Sequence, residues 1–199
     1  IIWAISGGGA YGCVMARDLP DRVCGVLSVC GMMPATAGER ANLNAFVRFG
    51  LFLAKLPAPL GNPLFRAVYR SMAKSNSPAT RNRLLKRLPE GSRQDAMEDN
   101  LFRFIALSGE TNFNAGPAGV RQEMRLYGAD AETLDLRKIT VPFTIMHGEK
   151  DINVPIDIAR RVEAAIPHSK AIYYPGEDHT FWWPNRQRMI DEIKLIAAS

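Results

Sequence analysis

The sequence predicts an α/β fold: a mostly parallel sheet flanked by helices, with a helical region inserted into it. Short apolar runs at Ile1–Ile5, Val23–Cys30, Val141–His147 and Ser169–Tyr174 read as strands. Helical patterns follow or separate them, and alternation of this kind is the signature of parallel strands joined by crossover helices. A third observation concerns polar residues: Ser6, Asp151 and His179 each stand just beyond an apolar run. Ligand sites of open parallel sheets form at such carboxyl ends.

The first strand runs straight into Ser6-Gly7-Gly8-Gly9, where a helix is expected to begin. A strand that turns at once into a helix crowds the backbone on either side of the turn, so small residues are needed there. Gly8 meets that need, and Ala4 meets it approximately. The helix spans Gly9 to Leu19 and ends before Pro20-Asp21. Val23–Cys30 is nearly unbroken by polar residues, as expected of a strand covered on both faces. Gly31 to Gly38, with Pro34, leaves the sheet.

From Glu39 to about Tyr127 strand-like runs vanish and helical patterns replace them. Asn42–Leu56 carries Leu43, Phe46, Val47, Leu51 and Leu53 at helical spacing, and Ala96–Leu107 carries Met97, Leu101, Phe104, Ile105 and Leu107. Breaks are expected at Pro57-Ala58-Pro59, Gly61-Asn62-Pro63, residues 75–78, 89–91 and 116–119. The apolar side chains either pack helix against helix or line an apolar substrate pocket. Pro155–Ala165 and Gln187–Ala197 are the remaining helices. The expected organisation is a core part at 1–34, a helical cap at 35–130 and a second core part at 131–199.

Composition limits the function. Of 199 residues 47% are hydrophobic and 23% charged, and no apolar run is long enough to span a bilayer. The net charge of +5 is concentrated between residues 39 and 130, where fourteen Lys or Arg face eight Asp or Glu. That region has no interleaved aromatic stacking motif and no zinc-finger spacing, which weighs against a nucleic-acid partner and leaves a solvated helical surface or a cap that attracts anionic substrates or membrane surfaces. No metal cluster or cofactor fingerprint is visible, so neither is expected. Cys13, Cys24 and Cys30 lie in apolar surroundings and read as three buried free thiols, pointing to a cytoplasmic setting.

The chemistry rests on Ser6, Asp151 and His179. A serine hydroxyl becomes a nucleophile when a histidine removes its proton and a carboxylate holds that histidine in the right tautomer. Ser6 read alone is equally a turn or helix-capping serine. Asp151 in His147-Gly148-Glu149-Lys150-Asp151 is also a candidate turn residue, with Glu149 as the rival acid. Asp178 competes with His179 as a polar loop tip. His147 ends a strand and reads as packed, whereas His168 follows Pro167 on an exposed turn. Trp182 and Trp183 read as sealing the core beside the last helix.

The chain resembles the α/β-hydrolase superfamily, in particular small-molecule serine hydrolases with a helical cap. The resemblance is carried by Ala4-Ile5-Ser6-Gly7-Gly8, Leu19-Pro20-Asp21-Arg22-Val23, His147 to Asp151 with Val154-Pro155, and Gly176-Glu177-Asp178-His179. It implies Ser6 as nucleophile, Asp151 as acid, His179 as base and the Gly7 N–H as an oxyanion donor, acting on a small acyl substrate. Ala4 stands where the family usually has glycine. The resemblance also implies that these strands are the family's fifth to eighth, hence the C-terminal half of a domain. Strands one to four and the second oxyanion donor would then lie upstream of Ile1, supplied by a second polypeptide or by further residues. A catalytically silent receptor of the same fold, and carbon–carbon hydrolysis or perhydrolysis by the same triad, are the other readings.

Overall fold

Four apolar runs pair as a parallel sheet in chain order: β1 (Ile2–Ile5), β2 (Val26–Val29), β3 (Phe143–Gly148) and β4 (Ser169–Tyr174). The computed structural model describes residues 1–73, 86 and 117–198. The helices among them are α1 (Gly8–Asp18), α2 (Ala37–Asn42), α3 (Ala45–Lys55), α4 (Ala58–Ala73), α5 (Pro117–Tyr127), α6 (Ile156–Ala165) and α7 (Arg186–Ala198). The expected helix Ala96–Leu107 and the breaks expected at 75–78 and 89–91 lie outside the described residues.

Register decides which side chains face which helix. Ile2 pairs with Val26 and Ala4 with Ser28, while Leu27 pairs with Thr144 and Val29 with Met146. Successive side chains point to opposite faces. Gly12 of α1 approaches Ala4, Val26 and Ile2, which places α1 on one face. Leu27, Val29 and Met146 pack on the other with Phe181 and with Met189 and Ile196 of α7. The nearly unbroken apolar run of β2 is thereby explained, since all four of its residues are buried.

These elements correct the expectation of a half-domain made of strands five to eight. Helices of the same chain pack on both faces of this four-stranded sheet, and the family match that settles the point is given with the site below.

The chain divides into two compact units, residues 1–44 with 129–198 and residues 45–128. In the second, Leu53, Ala54, Phe65 and Val120 of α3, α4 and α5 form a small core. Buried Arg121 donates to the Leu56 carbonyl and Arg125 Nε to the Ala54 carbonyl at 2.9 Å. Both cover carbonyl groups at the C-terminal end of α3, where cations are favoured. The break expected at Gly61-Asn62-Pro63 does not hold, and of the break expected at 116–119 the described residues, 117–119, open a helix. α4 continues through Pro63, which forgoes a single backbone donor, and Pro117 is the first residue of α5, where a missing N–H costs nothing.

In the first unit, Thr36 and Glu39 form a reciprocal cap at the start of α2. Arg161 of α6 donates to Glu39 Oε1 at 2.7 Å and to the Pro34 carbonyl at 2.8 Å, tying the loop after β2 to α6. Of the three cysteines, Cys13 and Cys30 are buried, but Cys24 is exposed, because it precedes β2 rather than lying within it.

The steric demand at the first turn falls elsewhere than the sequence suggests. A Cβ on Gly8 would meet only Ala4 Cβ at 3.7 Å, an ordinary contact, whereas one on Gly9 would lie 2.6 Å from Gly31 Cα and 2.8 Å from Gly31 C. Gly9→Ala is expected to destabilise the fold by about 1–3 kcal/mol through overpacking. Gly8→Ala, within the helix, is expected to be neutral or slightly stabilising. Urea unfolding midpoints of the two variants check the contrast, and equal midpoints would remove the Gly9–Gly31 constraint.

Candidate active site

Ser6 sits at the carboxyl end of β1 with φ of +49°, in the left-handed region that non-glycine residues avoid at a cost of roughly 1–3 kcal/mol. Three backbone hydrogen bonds hold it there. The Ser6 N–H donates to the Val29 carbonyl at 2.9 Å, and its carbonyl accepts from Gly9 N at 3.0 Å and Met32 N at 2.7 Å. The Gly7 N–H follows at once, at the N-terminal cap of the eleven-residue α1. Cys30, one step past β2, is the other non-glycine residue with positive φ among the described residues, at +48°.

The acid comes from the loop after β3. Asp151 is buried, and its Oδ1 accepts from the amides of Asn153 at 2.8 Å and Val154 at 2.9 Å. Glu149, the rival acid, is exposed, and its amide donates to the Tyr174 carbonyl at 3.1 Å. The histidine comes from the loop after β4. These two loops approach closely at Gly148, where a Cβ would fall 2.5 Å from the Asp178 carbonyl and 2.7 Å from that of Glu177. Lys150 N donates to the Glu177 carbonyl at 2.8 Å and stitches them together.

The structure brings the three sequence-predicted side chains into one line. His179 Nδ1 lies 2.6 Å from Asp151 Oδ2, and His179 Nε2 lies 3.0 Å from Ser6 Oγ. An ionised carboxylate can only accept, so Nδ1 carries the proton toward Asp151 and Nε2 faces the Ser6 hydroxyl as acceptor. Asp178 is occupied in its own turn, accepting from the Thr180 amide and hydroxyl at 2.8 and 2.7 Å. Trp182 packs against the α7 core, with Trp183 edge-on to it at 5.6 Å. His168 is exposed.

Burial alone would push the Asp151 carboxyl upward, but the hydrogen bond and charge of His179, the Val154 amide and the nearby His147 together bring it below the usual carboxylate range. It therefore stays ionised although no part of its side chain reaches solvent.

Two neighbours escaped the sequence reading as parts of the site. His147 is fully buried, donates from Nε2 to the Val154 carbonyl at 2.8 Å, and has the same Nε2 3.7 Å from Asp151 Oδ2. Its position four residues before the acid was the available signal. Cys30 Sγ lies 3.6 Å from the His179 carbonyl oxygen, and its ligand atom and those of Asp151 and His179 fall within 4.8 Å of one another. A metal there would need a thiolate. Burial first, and the Asp151 charge second, push the Cys30 thiol well above its ordinary value, so Cys30 is a neutral thiol beside the carboxylate. Asp151 Oδ2 and His179 Nδ1 are already committed to each other.

Burial also lowers the pKa of His147 below its ordinary 6.5. The unfolded chain then binds more protons than the native one as pH falls through that value, so this stabilising contribution is present above it and lost below it. His147→Gln is expected to lose less stability than the parent between about pH 7.5 and about pH 5.5. Urea melts at both pH values measure this; parallel losses in the two proteins would contradict a neutral buried His147.

A family profile described as the alpha/beta hydrolase fold matches residues 1–185. No curated protein matches the chain. Among solved structures, a bromoperoxidase from Bacillus anthracis aligns with TM-score 0.65 and 18% identity, over 99% of this chain and 66% of its own. An esterase from Rhodococcus sp. aligns with TM-score 0.59 and 20% identity, over 100% and 65%. An esterase from Thermogutta terrifontis gives 0.54 and 18%, over 98% and 63%. The chain thus spans about two thirds of the length of these structures. The profile match begins at residue 1 and takes in nearly the whole chain. It overturns the expectation that the resemblance is confined to the C-terminal part of the family's domain, and with it the expected second polypeptide carrying an N-terminal half.

Proposed function

Because the chain belongs to the alpha/beta hydrolase fold family, we propose that it is a serine hydrolase acting on a small ester, amide or related acyl compound. The observation that carries this reading is the continuous Ser6–His179–Asp151 hydrogen-bond line, set on a strained turn. Ser6 Oγ attacks the carbonyl carbon as its proton passes to His179 Nε2. The imidazolium so formed is stabilised by Asp151, which keeps Nδ1–H oriented.

The carbonyl oxygen becomes an oxyanion, toward which the Gly7 N–H and the positive end of α1 contribute; one such donor is worth about 3 kcal/mol. His179 then returns the proton to the leaving alcohol or amine, giving an acyl-Ser6 ester. Water, deprotonated by His179 in turn, hydrolyses that ester and restores the hydroxyl. The buried unpaired thiols of Cys13 and Cys30 support placing this activity in a reducing, cytoplasmic compartment. Among the described residues no helix is long and apolar enough to cross a membrane.

A fluorophosphonate probe is expected to label Ser6, and Ser6→Ala to abolish both labelling and ester turnover. Labelling at a different serine, or turnover that survives the substitution, would end the proposal; binding of an acyl ligand with no turnover would point instead to a silent receptor. Asp151→Asn is expected to lower kcat by a factor on the order of 10⁴ with the fold preserved, and Glu149→Gln to do far less. Steady-state kinetics on an activated ester ranks the two, and the reverse ranking would reassign the acid.

A further inference from the structure

The carboxylate of Asp151 divides its two oxygens between different tasks. Oδ2 serves His179, and Oδ1 is clamped by the amides of Asn153 and Val154. The clamp works only if the backbone of Val154 is itself fixed, because its N–H must stay aimed at Oδ1. The carbonyl of that same residue accepts from His147 Nε2 at 2.8 Å. His147 in turn is anchored as part of β3, in register with Tyr173 of β4, and is wholly buried.

We propose that His147 is a positioning residue for the acid: its Nε2–H, held on the Val154 carbonyl, fixes the turn whose amides aim Asp151 Oδ2 at His179. The ring touches no reacting atom and acts through Asp151.

A second observation supports a neutral ring with its single proton on Nε2. His147 Nδ1 is buried with no hydrogen-bond partner among the described residues, so a proton there would lack an acceptor among them. A leucine at this position would fill a similar volume yet leave the Val154 carbonyl unpaired. A glutamine would present an amide N–H near the place of Nε2. The requirement is therefore for a donor at one point on the strand, and hydrophobic filling alone would not satisfy it.

This inference rests on the Ser6–His179–Asp151 reading for its catalytic consequence but not for its structural content, and the experiment separates the two. Histidine-selective ¹⁵N and ¹H NMR of the full chain is expected to show His147 protonated on Nε2 only. A downfield His179 Nδ1–H resonance from its short bond to Asp151 is expected as well. That resonance should persist in His147→Gln and be lost or moved in His147→Leu. In the same variants kcat on an activated ester should fall roughly 10- to 100-fold for leucine, with KM little changed, and recover most of that loss for glutamine.

An unshifted His179 resonance in folded His147→Leu, or equal loss of kcat in both folded variants, would overturn the proposal. If the leucine variant fails to fold, the parent protein decides alone, since a His147 proton found on Nδ1 overturns it equally. Absence of Ser6 labelling with the NMR results as expected would refute the hydrolase reading while leaving the positioning role in place.

Discussion

The left-handed backbone of Ser6 is the constraint on which the rest of the site depends. A residue held at φ of +49° relaxes unless its surroundings over-determine it. Here the restraint is a pair of backbone partners on the neighbouring strand and loop, Val29 and Met32, with Gly9 closing the turn from the helix side. That arrangement requires α1 to enter directly over the loop after β2, and only glycine at both 9 and 31 lets the two backbones come so near. The same approach explains why alanine is accepted at position 4. Its methyl is buried against Gly12, where an added Cβ would fall 3.0 Å from it, so the room that a glycine would have provided on the strand is provided on the helix instead.

Asp151 and His179 rely on an electrostatic balance of the opposite kind. Burying Asp151 opposes its ionisation, and a carboxylate deprived of water must recover what it loses from hydrogen bonds. Two backbone amides on one oxygen and an imidazole on the other supply that recovery, with a net lowering of the Asp151 pKa. Cys30 sits beside the same carboxylate as a neutral thiol and therefore adds no competing charge. The site is thus built around one fixed negative charge whose outward face is a single histidine.

Local pattern made much of this visible in the amino-acid sequence. The four strands and the helices at 8–18, 156–165 and 186–198 lie within a few residues of their expected places, because apolar runs bounded by Gly, Pro and polar turns carry both the type and the limits of an element. The candidate residues Ser6, Asp151 and His179 stand in loops just past strand ends, but preferring Asp151 over Glu149 took the family resemblance, since Glu149 is nearer the end of β3. Features set by approach between distant segments were not legible. Nothing near Gly9 indicates that Gly31 will lie against it, and nothing near Gly148 names Glu177 and Asp178. Cys24 was read as buried from its apolar neighbours, but the strand starts at Val26. Pro63 was read as a break, yet packing of α4 with α3 and α5 outweighs one missing donor.

His147 shows the same limit from inside one segment. Its closeness to Asp151 in sequence is plain, but the tight turn between them reverses the chain and brings Val154 back to the strand end. A histidine buried at the end of an all-buried strand looks in sequence like a packed side chain, and by burial it is one. What distinguishes it is the direction of a single N–H. An apolar residue of equal size would satisfy the core and leave a carbonyl unpaired at the one turn whose geometry the acid needs, and an unpaired buried carbonyl is costly enough to move the turn. Core packing and acid placement therefore make different demands of the same position, and the second demand is what a polar residue in an otherwise apolar strand records.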